Sequence, residues 1–404
     1  MKTHSPTRLG YALMLGSLAA LGPLCTDLYL PALPQLTSDL STNTSTAQLS
    51  LTAGLLGLGG GQLIFGPLSD AFGRMRPLLF SLALLLATSI WCALATDIHQ
   101  LLAARLLQGI AGAGGAVLSR AVVRDLYSGH ELTRFFALLM LVNGLAPIFA
   151  PVLGGALMSL TDWRGIFVAL AIVAMLLLLL SAFRMSETLP QERRISGGLG
   201  AMLSSLGGLL RERQFMGMCL AQGLSGAGMF AYIGASPFVL QQIYGLSPQI
   251  FSLCFALNGI GLIIAGQLSA RFSRDNQEER VLRVGLTIAV LASAILLAAG
   301  LTQASLVWVL APLFLAVAMI GVIGPCASAL AMQSQGNQAG SASALIGLSM
   351  FGLGALSVPL TGLAGTSATS MALVMLVCYV LAALSYVLLV AKARAPDRRL
   401  QKTA

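Results

Sequence analysis

GPLSDAFGRMRP, residues 66–77, closes one apolar segment and opens the next, and its reading decides the fold. Gly66 leaves room for a close backbone approach, Asp70 falls where a helix ends, and Gly73 takes the turn. Arg74 and Arg76 hold the loop at an anionic membrane face. The stretch is thus a tight, arginine-bearing loop between two membrane helices.

Composition agrees. Of 404 residues, 57% are hydrophobic and 9% charged, with a mean hydropathy of +0.86, whereas soluble domains carry about 25% charge. No Asp, Glu, Lys or Arg occurs between Arg213 and Arg271 or between Arg283 and Lys392. One helix spans the hydrocarbon core with about 20 residues, so several share each gap. Lipid forbids unpaired backbone groups, so these segments are helices, and the alternating strands of a membrane barrel are absent. The +9 net charge does not point to nucleic acid: the bases are scattered singly between apolar segments, with no basic helix carrying interleaved aromatics. Cys25, Cys92, Cys219, Cys254, Cys326 and Cys378 all lie in apolar segments without C-x-x-C spacing. They read as packing residues, with no disulfide framework and no metal site.

Hydropathy predicts twelve spans at 10–33, 47–69, 77–96, 99–121, 135–160, 165–184, 214–240, 248–270, 283–301, 304–332, 339–364 and 370–391. The first of them reads as an uncleaved helix rather than a signal peptide, because the run is long, contains Asp27 and is followed by many others. The spans divide the chain into an N-terminal six-helix bundle (1–184), a polar cytoplasmic linker (185–213) and a C-terminal six-helix bundle with a short basic tail (214–404). Leu199, Leu203, Leu206 and Leu210 recur at helical spacing in the linker, which predicts a short surface helix. If the N-terminus is cytoplasmic, that side receives all but Arg105 and Arg164 of the 23 basic residues, so both termini are expected in the cytoplasm. Gly61-Gln62 recurs as Gly266-Gln267, Pro31 as Pro237, and Pro151 with Gly154 as Pro359 with Gly362. These offsets of about 205–208 residues point to a duplicated six-helix unit.

Asp27 and Arg105 are the formally charged side chains that fall well inside spans. Such groups are costly in lipid and mark ion or proton paths. Each lies about six residues, roughly 9 Å, from the external end of its span. Burial disfavours a charged carboxyl and a nearby guanidinium favours it, so moving the two together or apart would switch protonation. Two structural readings remain open: Arg105 as an anchor whose stem reaches the external interface, and Asp27 as a partner for backbone groups freed by Pro31 and Pro34.

The loop from Gly66, with Leu68, Asp70, Gly73 and Arg74, resembles the G-x-L-x-D-R-x-G-R-[RK] motif of the major facilitator superfamily. Ala71 and Met75 depart from it, and the second base is displaced to Arg76. LLAARLLQG (101–109) resembles the fourth-helix R-x-x-Q-G motif of its proton antiporters through Arg105, Gln108 and Gly109. NGLAPIFAPVLGG (143–155) resembles the fifth-helix motif of its drug exporters through Pro151, Gly154 and Gly155, with Ala150 in place of the usual glycine. TDLYLPALP (26–34), SETLPQERR (186–194), AGMFAYIGASPFV (227–239) and FALN (255–258) resemble the Bcr/CflA subfamily of drug/proton antiporters, which includes bicyclomycin- and chloramphenicol-resistance exporters.

The resemblance implies an all-α bacterial inner-membrane protein with twelve transmembrane helices in two pseudo-symmetric bundles. It further implies a monomer exporting drugs by alternating access, driven by the proton motive force without a cofactor. In that family the first and fourth helices line the central cavity, so Asp27 and Arg105 would face each other across it, and VRDLY (123–127) would set Asp125 beside Arg74 as a gating pair. Candidate substrate contacts are Tyr29, Gln108, Asn143, Gln222, Met229, Phe230, Tyr232, Phe238 and Asn258, which supply amides, aromatic faces and soft apolar surface. A single acidic group suits neutral or weakly cationic amphiphiles. Export of a small metabolite such as an amino acid, sugar or nucleoside remains the alternative. An enzyme would need clustered catalytic groups, and His4, His99 and His130 are far apart.

Overall fold

The computed structural model describes residues 8–194, 207–273, 277–333, 335, 339–363 and 365–391. Helix α1 (Arg8–Asp27) is followed by a 3-10 turn (Leu30–Ala32) and a short helix (Leu33–Asp39). Then come α2 (Thr44–Phe72), α3 (Met75–Leu94), α4 (Ile98–Leu126), α5 (Gly129–Leu157) and α6 (Trp163–Arg184). The second half contains α7 (Arg213–Phe238), α8 (Pro248–Phe272), α9 (Glu278–Leu301), α10 (Leu306–Ala318 and Ile320–Met332), α11 (Ala339–Leu360) and α12 (Ala368–Tyr386). Among the described residues, twelve segments are long and apolar enough to cross a membrane, the number hydropathy predicts.

Local chemistry sets the helix ends. Asp97 caps α4 by accepting the amide hydrogens of His99 and Gln100 at 2.8 and 3.1 Å. Asp162 caps α6 through Arg164 and Gly165 at 3.0 and 3.2 Å, and Ser367 and Ser370 form a reciprocal capping box on α12. Hydropathy places several ends too early: α2 and α4 each run to 29 residues because helical backbone continues past the apolar stretch into polar sequence. The predicted span 304–332 is one apolar run and one membrane span, in which the helical pieces Leu306–Ala318 and Ile320–Met332 join at Met319, whose backbone stays helical at φ −63° and ψ −18°. The predicted linker helix through Leu199, Leu203 and Leu206 lies outside the described residues.

Two compact units emerge. The first contains residues 1–42, 53–199 and 248–256, and the second residues 43–52, 200–247 and 257–404, so α2 and α8 are each divided between them. Within the first unit α1 packs on α4 and α5, and α3 packs on α4 and α6. Within the second, α7 packs on α10 and α11, and α9 packs on α10 and α12. The same pairings shifted by six helices are what a duplicated unit requires. Leu15, Leu18, Leu82, Leu85, Leu118 and Val122 form the centre of the first unit's core. Large apolar side chains such as Phe80, Leu94 and Phe183 are exposed on the helices, as expected where lipid is the solvent.

Candidate functional site

Regular helix in α1 ends at Asp27, just before the turn imposed by Pro31. Asp27 is 5% exposed and Arg105, on α4, is 1% exposed. Asp27 is the only carboxylate among the buried residues described. The Arg105 guanidinium is held from several sides. Its Nη1 donates to the Cys25 carbonyl at 2.7 Å and to Gln108 Oε1. Gln108 in turn donates to Ser89 Oγ at 2.8 Å. The guanidinium carbon lies 4.3 Å from the Tyr29 ring centre and 5.7 Å from that of Phe167, a cation–π geometry worth about 2 kcal/mol where water is excluded. Nε and Nη2 have no hydrogen-bond partner among the described residues.

The ion pairs among the described residues are Arg74–Asp70, Arg74–Asp125 and Arg194–Glu187, so Asp27 and Arg105 are not in direct contact. Nor does Arg105 extend to an interface, since its head group is enclosed by aromatic rings. Sequence pattern ranks residues by charge and depth but does not show which way a long side chain turns. Phe167 and Ser89 escaped it altogether because an aromatic or a serine within an apolar span is an ordinary packing residue.

The substrate candidates separate by burial. Tyr29 and Gln108 are fully enclosed around Arg105, and Phe230, Tyr232, Phe238 and Asn258 are also buried. Tyr232 accepts a hydrogen bond from Asn258 Nδ2 at 2.9 Å, and Phe230 packs against Phe351 at 5.9 Å. All six side chains are buried in this structure. Asn143, Gln222 and Met229 are half-buried. Asn143 donates to the Leu139 carbonyl at 2.9 Å, and Gln222 accepts from Ser328 at 2.6 Å.

The loop between α2 and α3 is built around Arg74, which is 2% exposed. Its guanidinium donates to Asp70 at 2.6 Å, Asp125 at 2.7 Å and Ser69 at 2.8 Å. Burial alone would lower its pKa, but the bonds to Asp125 and Asp70 outweigh that and raise it. Gly73 has φ +88°, and a Cβ there would strike Glu187 and come within 2.8 Å of Arg194. Glu187, beyond α6, accepts the amide hydrogens of Arg74 and Met75 at 2.8 and 3.2 Å and so caps α3. Thr188 donates to Asp125 at 3.1 Å, closing the ring. Glu187 lies in the subfamily-like SETLP stretch, and nothing in its spacing announced a cap for a helix more than a hundred positions earlier. The expected role of Gly66 is not found: a Cβ there would meet nothing within 4 Å among the described residues.

Gly154 and Gly155 on α5 are close-approach positions. A Cβ on Gly154 would strike the Leu28 carbonyl oxygen, next in sequence to Asp27, and lie 3.4 Å from Pro31 Cδ. One on Gly155 would strike Ser252 Oγ, and the Gly155 carbonyl accepts from Gln249 at 3.1 Å. Pro151, one turn earlier on α5, is buried.

A repeated six-helix membrane unit, a buried charge beside a helix break and an arginine-centred loop define a multi-pass membrane transporter. The chain belongs to the Major Facilitator Superfamily, which matches residues 15–359. It is 44% identical to the uncharacterized MFS-type transporter YdgK of Bacillus subtilis over 388 residues, covering 95% of this chain and 96% of that protein. It is 31% identical to the bicyclomycin resistance protein homolog of Haemophilus influenzae over 387 residues, covering 95% and 96%. Among solved structures it resembles a bacterial homolog of the human lysosomal transporter Spinster, with a TM-score of 0.73 at 18% identity, covering 95% of this chain and 97% of that one. Its bacterial relatives and twelve spans make it a multi-pass protein of the inner membrane, and not an enzyme.

Proposed function

We propose that this transporter exports drug-like amphiphiles in exchange for protons, with Asp27 as the protonation site and Arg105 as the fixed charge that biases it. The observation that carries the reading is Asp27 itself, the one buried carboxylate among the described residues, beside a helix break and near an enclosed guanidinium. The bicyclomycin, chloramphenicol and multidrug resistance proteins among its relatives support a drug as cargo. Proton and drug compete for one form of Asp27, so protonation from outside expels the drug and deprotonation inside resets the carrier by alternating access. Proton entry supplies about 2.3 kcal/mol per 100 mV and about 1.4 kcal/mol per pH unit, enough for drug gradients of tenfold or more.

Asp27→Asn is expected to abolish proton-driven efflux while leaving the folded protein intact. The test is drug-linked proton movement in inverted membrane vesicles, and normal movement by the variant would end the proposed role of Asp27. Growth across a panel of antibiotics and metabolites, comparing expression with deletion, tests the cargo; protection against metabolites alone would replace the drug reading.

A further inference from the structure

The start of α9, in the second unit, carries a groove of about 340 Å³ lined by Arg280, Arg283, Val284, Thr287 and Ile288. These residues fall on one helical stripe, because steps of three and four return to the same face. Polarity along the stripe is graded: two guanidinium groups at the helix start, then a threonine and two branched apolar side chains one to two turns deeper. From Arg280 to Ile288 the axial distance is about 12 Å at 1.5 Å per residue.

Neither guanidinium has an ion-pair partner among the described residues. Arg74, by contrast, is already committed to two carboxylates. Among the described residues, neither acidic side chain at the start of α9 forms an ion pair with these arginines. Glu279 accepts the Tyr386 hydroxyl hydrogen at 2.7 Å, and Glu278 lies on the far side of the helix, about 200° from Arg280 at 100° per residue. Two exposed arginines one turn apart repel each other, and the α9 N-terminus adds partial positive charge. Thr287 donates its hydroxyl hydrogen to the Arg283 carbonyl at 2.9 Å, so the deeper part of the groove asks for no polar partner.

We propose that this groove binds an anionic membrane phospholipid, with Arg280 and Arg283 holding the phosphate and Val284, Thr287 and Ile288 lining the start of one acyl chain. The bilayer is the source of the ligand, since the groove opens on a helix surface and its deeper wall is apolar. Phosphate recognition by two arginines accounts for their having no ion-pair partner among the described residues, and the depth of the stripe matches the passage from headgroup to hydrocarbon.

The test is native mass spectrometry and thermal unfolding of the full chain in non-ionic detergent. Phosphatidylglycerol and phosphatidylcholine of identical acyl chains are the probes. The parent protein is expected to retain phosphatidylglycerol roughly tenfold better than phosphatidylcholine and to be stabilised by it selectively. The double substitution Arg280→Gln with Arg283→Gln removes the preference, and the corresponding pair of lysine substitutions keeps most of it. Because these side chains are exposed, the glutamine pair is expected to fold; its own unfolding midpoint without added lipid checks this. Equal retention of the two lipids by the parent, or undiminished preference in the glutamine pair, would overturn the proposal. So would an equal thermal shift from glycerol phosphate, which carries the anion without a chain.

Discussion

Glu187 accepts the amide hydrogen of Arg74 at 2.8 Å, while the guanidinium of the same arginine holds Asp125 at 2.7 Å. One residue is therefore gripped through its backbone by the segment after α6 and through its side chain by α4. The loop between α2 and α3 owes its shape to parts of the chain far from it in sequence. The arginine fixes three helix ends at once, and the cap closes the helix that follows it.

Glu187→Gln is expected to lower stability by about 1 kcal/mol at neutral pH, at the weak end for a lost charged cap because the group is partly exposed. The pH dependence carries a sign. Burial raises the Glu187 pKa, but bonds from the amides of Leu189, Arg74, Met75 and Thr188 outweigh it and hold the carboxyl below its ordinary range. A carboxyl with a depressed folded-state pKa contributes stability above its unfolded value, about 4.3, and loses that contribution as pH falls through the folded value. The unfolding midpoint of the parent should therefore fall more steeply below pH 5 than that of the glutamine variant. Parallel curves would remove Glu187 from the account.

Gly73→Ala meets two obstacles at once. A left-handed φ of +88° costs a side chain about 1–2 kcal/mol, and the added methyl collides with the Glu187 carboxylate. Asparagine tolerates the dihedral but keeps the collision, so Gly73→Asn should rescue little. Combining Gly73→Ala with Glu187→Ala should recover part of the loss. Thermal melts of the three variants separate the effects; full recovery by asparagine would mean that the dihedral alone matters.

What the sequence made legible follows from which physical signals are local. Twelve apolar runs, the duplication and the charge of Asp27 can be read along the chain, because hydropathy and formal charge need no partner. The pairing of Arg74 with Asp125 was accessible only through resemblance, and Glu187 carried no signal, since a cap supplied from a distant segment has no fixed spacing. The orientation of Arg105 was illegible for a related reason. Its position says that a charge is buried, while its direction depends on which rings and carbonyls two other helices present.

Gly154→Ala should be disproportionately harmful for so small a change. The new methyl strikes the Leu28 carbonyl oxygen, and backbone moves less readily than a side chain. Relief requires α5 to back away from the turn that follows Asp27, at a cost of about 1–3 kcal/mol. Transport should fall together with thermal stability, whereas the same substitution at Gly66, where a Cβ meets nothing within 4 Å among the described residues, should leave the melt within the scatter of the parent. Similar melts for the two alanine variants would show that α5 is not closely seated there.

Phe167 tests whether the aromatic enclosure of Arg105 matters beyond packing. Its ring lies 5.7 Å from the guanidinium carbon and 5.7 Å from the Tyr29 ring, and Trp163 meets it edge-on at 6.1 Å. Trp163 is itself fixed by donating its indole hydrogen to Asp39 at 2.9 Å, so the stack is anchored at its outer end. Phe167→Leu keeps an apolar side chain but removes the π face, leaving the cation with Tyr29 alone. A loss of about 1–2 kcal/mol in stability is expected. Phe167→Tyr retains the face and should recover most of it if the hydroxyl fits. If the ring also orients Arg105 toward its role beside Asp27, the pH at which transport is half-maximal should move in the leucine variant and return in the tyrosine variant. A leucine variant that is less stable yet transports with the parent's pH profile would reduce Phe167 to packing alone.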